Sequence, residues 1–200
     1  MTLFNQIDFD WPRLAQFFNR TPTLRLRATD EVHVQLNDHR ASVKLRYLTS
    51  EFSREFVRDN LQIDILCRKP DWQLSSIEQV CNSLHPLSTV DVLTIEHQYS
   101  ELVWKNDAIE NALWLELLFP FTTVKRLYIK EEFAPGIAAA LQELVGSRIT
   151  EVLPNLENIF VEKLEPSGPS QENIGQFVAA RQLSGHPIAV SIWDRVSDGD

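Results

Sequence analysis

The chain has 200 residues, of which 44% are apolar and 24% charged, and its net charge is −9. That length suits one domain with a sizeable core, and the acidity argues against nucleic acid and anionic membrane surfaces as partners. No apolar run approaches the ~18 residues of a membrane span, and the start "MTLFNQIDFDWPRLAQFF" lacks the basic opening of a secretory signal, so cytoplasm or nucleus is the expected location.

In chain order, "DWPRLAQFF" predicts a first helix with Trp11, Leu14, Ala15 and Phe18 on one face and Pro12 in its first turn, where a missing amide proton does no harm. "VHVQL" (32–36), "SVKLRYL" (42–48) and "LQIDILCR" (61–68) alternate as strands, with "NDHRA" as a turn. No helical pattern separates them, so an antiparallel hairpin or meander is expected. In "SSIEQVCNSLH", Ser75 and Glu78 fit a capping box, and Ile77, Val80, Cys81 and Leu84 follow on one face. Cys67 and Cys81 lack metal-type spacing, and Cys81 reads as a core thiol.

The strand "VDVLTIE" (90–96) comes next. "DAIENALWLELL" repeats the helix-start signal through Asp107 and Glu110. Its stripe is Ile109, Leu113 and Leu117, while Ala112, Trp114, Leu115 and Leu118 make it apolar all round, as for a helix buried from several sides. After "VKRLYIK" (124–130), "PGIAAALQELVG" opens on Pro135 and closes on Gly146, with Ile137, Leu141, Leu144 and Val145 inward. A helical turn through Ile149, Val152 and Leu153 leads to "LENIFVE" (156–162). "SQENIGQFVAARQLSG" has Ser170 as cap, Gly185 as stop and Ile174, Phe177, Val178 and Arg181 in line, and "IAVSIWD" (188–194) is the last strand.

Two lines are written nearly twice. "HPLSTVDVLTIE" (85–96) and "FPFTTVKRLYIK" (119–130) share a Pro, then an apolar residue, two small polar residues and an apolar triple; "LPNLENIFVE" (153–162) is a shorter version. The triples Val90, Leu93, Ile95; Val124, Leu127, Ile129; and Leu156, Ile159, Val161 keep one spacing in steps of thirty-four and thirty-two residues. One strand–helix unit cannot bury its apolar face alone, so such units stack. The expected fold is therefore α/β, an irregular leucine-rich-repeat-like open sheet with helices on one side and antiparallel strands at the N-terminal end. One domain spans 1–200, with an N-terminal helix and meander cap in 1–70, β/α repeats in 71–195 and a tail in 196–200.

No nucleophile elbow, phosphate loop, dinucleotide fingerprint or zinc-protease motif is present. The five histidines are scattered. An enzyme would have to use a site near His97 and Glu101, at a strand end where α/β active sites collect. The expected reading is instead non-catalytic, with no cofactor and no metal. On a repeat sheet, the residues between the buried triples face away from the core. These are Thr94 and Glu96, then Arg126, Tyr128 and Lys130, then Asn158, Phe160 and Glu162. Tyr128 and Phe160 are expected side by side. Paired aromatics flanked by charges suit a protein-binding face.

The stretch "WLELLFPFTTVKRLYIKEEFAPGIAAALQELVGSRITEVLPNLENIFVEKLEPSGP", with "WQLSSIEQVCNSLHPLSTVDVL" before it and "IGQFVAARQLSGHPIAVSIWD" after it, resembles the C-terminal region of mushroom-type fungal F-box proteins. The resemblance runs from about Trp11 to Trp193. In that family an N-terminal F-box docks on the adaptor of a cullin ubiquitin ligase, and the remainder is presumed to hold a substrate. The resemblance thus implies a substrate-recognition domain whose partner is a protein. The F-box's Leu-Pro-x-Glu-like opening is missing here, so the ligase adaptor is not expected to bind this chain alone.

Overall fold

Strands with one apolar face and helices with one apolar stripe must bury those surfaces against each other. The computed structural model describes residues 2–5, 13, 16, 20, 29–46, 61–97, 109–163 and 168–193. Its strands are β1 (Thr2–Asn5), β2 (Glu31–Leu36), β3 (Arg40–Arg46), β4 (Leu61–Leu66), β5 (Val92–His97), β6 (Arg126–Ile129), β7 (Asn158–Val161) and β8 (Ala189–Ile192). They form one sheet in the order β1-β4-β3-β2-β5-β6-β7-β8. Pairing is antiparallel on both sides of β3 and parallel everywhere else. The N-terminal meander is therefore present as expected, and its β2 receives β5 directly. The four-residue strand β1 is too short to show an alternation in the sequence.

The helices are α1 (Pro70–Ser83), α2 (Asn111–Leu118), α3 (Ala134–Gln142) and α4 (Pro169–Leu183). Their buried residues, among them Ile77, Trp114, Leu141 and Phe177, share one core with the inward residues of the sheet. All nine residues of the three triples are buried. The register aligns them in two rows, Leu93–Leu127–Ile159–Val190 and Ile95–Ile129–Val161–Ile192.

The repeated small polar residues have a use that composition does not reveal. Thr89 Oγ1 donates to Thr29 O at 3.0 Å, Thr123 Oγ1 donates to Val90 O at 3.0 Å, and Asn155 Nδ2 donates to Thr122 O at 2.8 Å. Each unit's entry turn is thus tied to the unit before it. Strand entry repeats as well: the N–H groups of Asp91 and Val92 share Asp30 O, those of Lys125 and Arg126 share Asp91 O, and those of Glu157 and Asn158 share Lys125 O.

Several helix ends differ from expectation. α1 opens on Pro70, with Lys69 as N-cap, and Ser75 lies inside it, donating to Asp71 O at 3.1 Å. Pro at the first position and Asp in the first turn suit a helix start and outrank the capping-box pattern. α4 likewise opens on Pro169 after Gly168, not on Ser170. In α2, Ile109 precedes the helix, and Trp114, Leu117 and Leu118 are its buried residues. Val145 is 63% exposed because α3 has already ended and the chain turns at Gly146, whose φ of +57° is left-handed. The turn after it is a 3-10 turn at Gly146–Arg148, though Ile149, Val152 and Leu153 are buried as expected. Arg13, Gln16 and Arg20 are helical and exposed. Trp11, Leu14, Ala15 and Phe18 lie outside the described residues, as do Asp107 and Glu101. No helix among the described residues is long and apolar enough to cross a membrane.

Candidate interaction site

Period-two alternation sends every second strand residue to the face away from the helices. Register then makes rows of them. Thr94, Tyr128, Phe160 and Ser191 lie opposite one another on β5 to β8, and His33 of β2 stands opposite Thr94. Tyr128 and Phe160, two half-buried residues on adjacent strands, stack with centroids 4.5 Å apart and planes 9° from parallel. Trp193, just past β8, meets Tyr128 edge-on at 5.3 Å and 76°. Both arrangements match the quadrupole preferences of aromatic rings. The three rings form one cluster, with the exposed guanidinium of Arg126 at its side.

The sequence places all eight candidate residues on this face, but they do not share one environment. Arg126 is exposed, while Lys130, Asn158 and Glu162 are half-buried like the two rings. Thr94 and Glu96, expected on an open surface, are only 4% and 3% exposed. This corrects the expectation, and beside them on β2 lies a polar network that includes Glu96. Gln35 Nε2 donates to Glu96 Oε1 at 2.6 Å, and Ser42 Oγ donates to Gln35 Oε1 at 3.3 Å. His33 lies with Nε2 2.7 Å from Glu31 Oε1 and Nδ1 3.5 Å from Glu96 Oε1. Buried polar groups persist where partners replace water in this way.

Burial works against charging His33, but its contacts with Glu31 and Glu96 outweigh that and hold its pKa above the ordinary histidine value. Burial also pushes the Glu31 carboxyl up, and the hydrogen bond and charge of His33, helped by Arg46, more than offset it, so its pKa is lowered. The two shifts run in opposite directions, each favouring the charged form of its group. Together with Val92, Thr94, Arg126, Tyr128 and Trp193, His33 and Glu31 line a hollow of about 270 Å³ between the network and the rings. Arg126 makes no ion pair among the described residues.

His97 is placed differently. It ends β5 on the helix side of the sheet, 8% exposed, with its ring 6.3 Å from that of Phe133. Glu96, its chain neighbour, points to the other face. The Cys81 thiol is fully buried and pushed far above its ordinary pKa by desolvation. No cluster of three or more His, Cys, Asp or Glu able to hold a metal ion occurs among the described residues.

Trp193, His33 and Gln35 are part of this surface and were not singled out by the sequence. Alternation alone gives their face: Trp193 follows Ser191 by two, and His33 and Gln35 alternate with buried valines. Their nearness to residues some sixty or more positions away depends on strand order, which no local pattern encodes. The chain matches no protein-family model, and no curated protein or solved structure matches it significantly.

Proposed function

We propose that the chain is a leucine-rich-repeat-like, non-catalytic protein-interaction domain that grips its partner with the face carrying Tyr128, Phe160 and Trp193. The observation behind this reading is the ring cluster itself, stacked and edge-packed on a rigid sheet yet still half accessible, beside an exposed arginine. Preorganised aromatics lose little entropy on binding and serve as anchors at interfaces. Arg126, Lys130, Asn158 and Glu162 would form the polar rim around them. Glu96 belongs to the supporting network and Thr94 to the wall of the hollow rather than to the rim. The identical spacing within each of the three triples supports the repeat-like reading. The resemblance to fungal F-box proteins suggests that the partner is a ligase substrate met in the cytoplasm or nucleus.

The test is capture from an extract of the source organism with wild-type chain and with the double variant Tyr128→Ala, Phe160→Ala, followed by mass spectrometry. A protein retained by the wild type and lost by the variant, with far-UV circular dichroism unchanged, is the expected result. Equal capture by both would refute the aromatic face as the binding surface.

A further inference from the structure

The hollow beside the ring cluster holds an unbalanced set of polar groups. It lies where β2, β5 and β6 run side by side, with Trp193 in its wall. Its carboxylate, Glu31, is already engaged: one oxygen stands 2.7 Å from His33 Nε2 and the other 3.7 Å from Arg46 Nη1. The guanidinium of Arg126 is exposed and has no such partner among the described residues. The hydroxyls of Thr94 and Tyr128 make no hydrogen bond among them either, although Thr94 is only 4% exposed. A buried hydroxyl normally has a partner. Lys44, opposite His33 on β3, is another cation without an ion pair among the described residues. In a chain of net charge −9, the hollow therefore offers unused donors and an uncompensated positive charge.

A carboxylate completes such a set. A guanidinium takes a carboxylate through two parallel N–H···O bonds, and hydroxyls can donate to the same oxygens. A phosphate dianion suits the hollow less, because Glu31 in its wall repels a second negative charge. The neighbouring rings point to the source of the carboxylate. Tyr128 and Trp193 line the hollow, and the stack continues to Phe160 on β7. A free small anion would leave these rings uncovered, whereas an acidic residue in a polypeptide brings apolar neighbours onto them. Strands lie about 4.8 Å apart, so β5 to β7 is about 10 Å, which an extended chain spans in about three residues.

We propose that the hollow binds an aspartate or glutamate side chain of the partner protein, held by Arg126 and Thr94, while an apolar residue about three positions away rests on Tyr128 and Phe160. The proposal rests on the aromatic face being the binding face, and it names the chemistry of what binds there. Arg126 is then the group that selects the partner's charge, and the rings supply the apolar contact.

A random-peptide display library panned against the purified chain tests this, with synthetic copies of the selected peptides measured by calorimetry. The peptides are expected to carry Asp or Glu about three positions from an aromatic or large aliphatic residue. Changing that acid to its amide should weaken binding about tenfold, Arg126→Gln should do the same, and the two changes together should cost no more than either alone. Should Arg126→Gln not fold, the amide peptide decides by itself. Peptides that lose binding to the Tyr128→Ala, Phe160→Ala variant but ignore the amide change overturn the role of the hollow and leave the aromatic face standing. No selected peptide, or peptides indifferent to the ring variant, overturns this proposal, and capture from extract then judges the aromatic face by itself. Three other occupants would each overturn it. Inorganic phosphate or acetate binding more tightly than the peptide would assign the hollow to a free anion. A rise in peptide affinity when Asp194, Asp198 and Asp200 are changed to Asn would assign it to this chain's own carboxylates. A dimer that Arg126→Gln dissociates would assign it to a second copy.

Discussion

His33 is the residue whose chemistry depends most on the fold. In the unfolded chain it is an ordinary histidine; folded, it stands between Glu31 and Glu96, with the charge of Arg46 working against its protonation. A pKa raised by folding means that His33 stabilises the fold fully below its unfolded value, near 6.5, and progressively less as pH rises through the folded value. Glu31 is the reverse case. Its lowered pKa gives stability above about 4.5, lost as pH falls through the folded value. The pair's contribution is therefore complete between those two values. The melting temperature of the wild type should exceed that of His33→Gln most at about pH 5.5, and the gap should narrow at about pH 9 by roughly 2–4 °C for each ~1 kcal/mol lost. A gap independent of pH would show that His33 is held by packing and not by charge.

At the scale of elements, Arg181 ties α4 to the segment that leads into β7. Its stripe reads as Ile174, Phe177, Val178 and Arg181, an apolar row ending in a cation. Arg181 is fully buried, and desolvation lowers its pKa. No carboxylate among the described residues pairs with it. The guanidinium instead donates to the carbonyls of Ile149 at 3.3 Å, Pro154 at 3.2 Å and Leu156 at 3.2 Å, with the Phe177 ring 6.0 Å away. The irregular segment before β7 thus has α4 as its hydrogen-bond partner. Arg181→Met keeps the bulk but orphans three carbonyls, and should cost roughly 1.5–3 kcal/mol in urea unfolding. A cost below about 0.5 kcal/mol would mean that water replaces the guanidinium. Gln73 does similar work for α1, donating to Asn37 O at 2.7 Å and Cys67 O at 2.6 Å.

For the whole molecule, the question is whether successive strand–helix segments unfold separately. Arrays with only neighbour contacts can lose cooperativity. Here one core joins the meander, the parallel strands and all four described helices. Leu127, fully buried at the centre of the β5–β6–β7 row, is the residue to probe. Leu127→Ala should cost about 2–5 kcal/mol and shift tryptophan fluorescence and far-UV circular dichroism together. Separate transitions for the two probes would show that the units unfold independently.

Most elements could be read from the sequence because their signals are local: alternation for the strands, one-face spacing for the helices, and a triple repeated three times. The antiparallel meander followed from the lack of helices between three strands. Helix starts were misread where Pro70 and Pro169 competed with Ser-based caps, since both are genuine start signals and only packing chooses between them. Tertiary structure alone decided how open the second face is. Alternation told correctly that Thr94 and Glu96 point away from the helices; that they are buried there, with His33 and Gln35 brought beside them across sixty residues of chain, is a tertiary fact. The gathering of Trp193 onto Tyr128 has the same origin. Periodicity determines which way a side chain points, because it is a property of the local backbone, whereas what that side chain meets is set by strand order, which arises from burying the whole core at once.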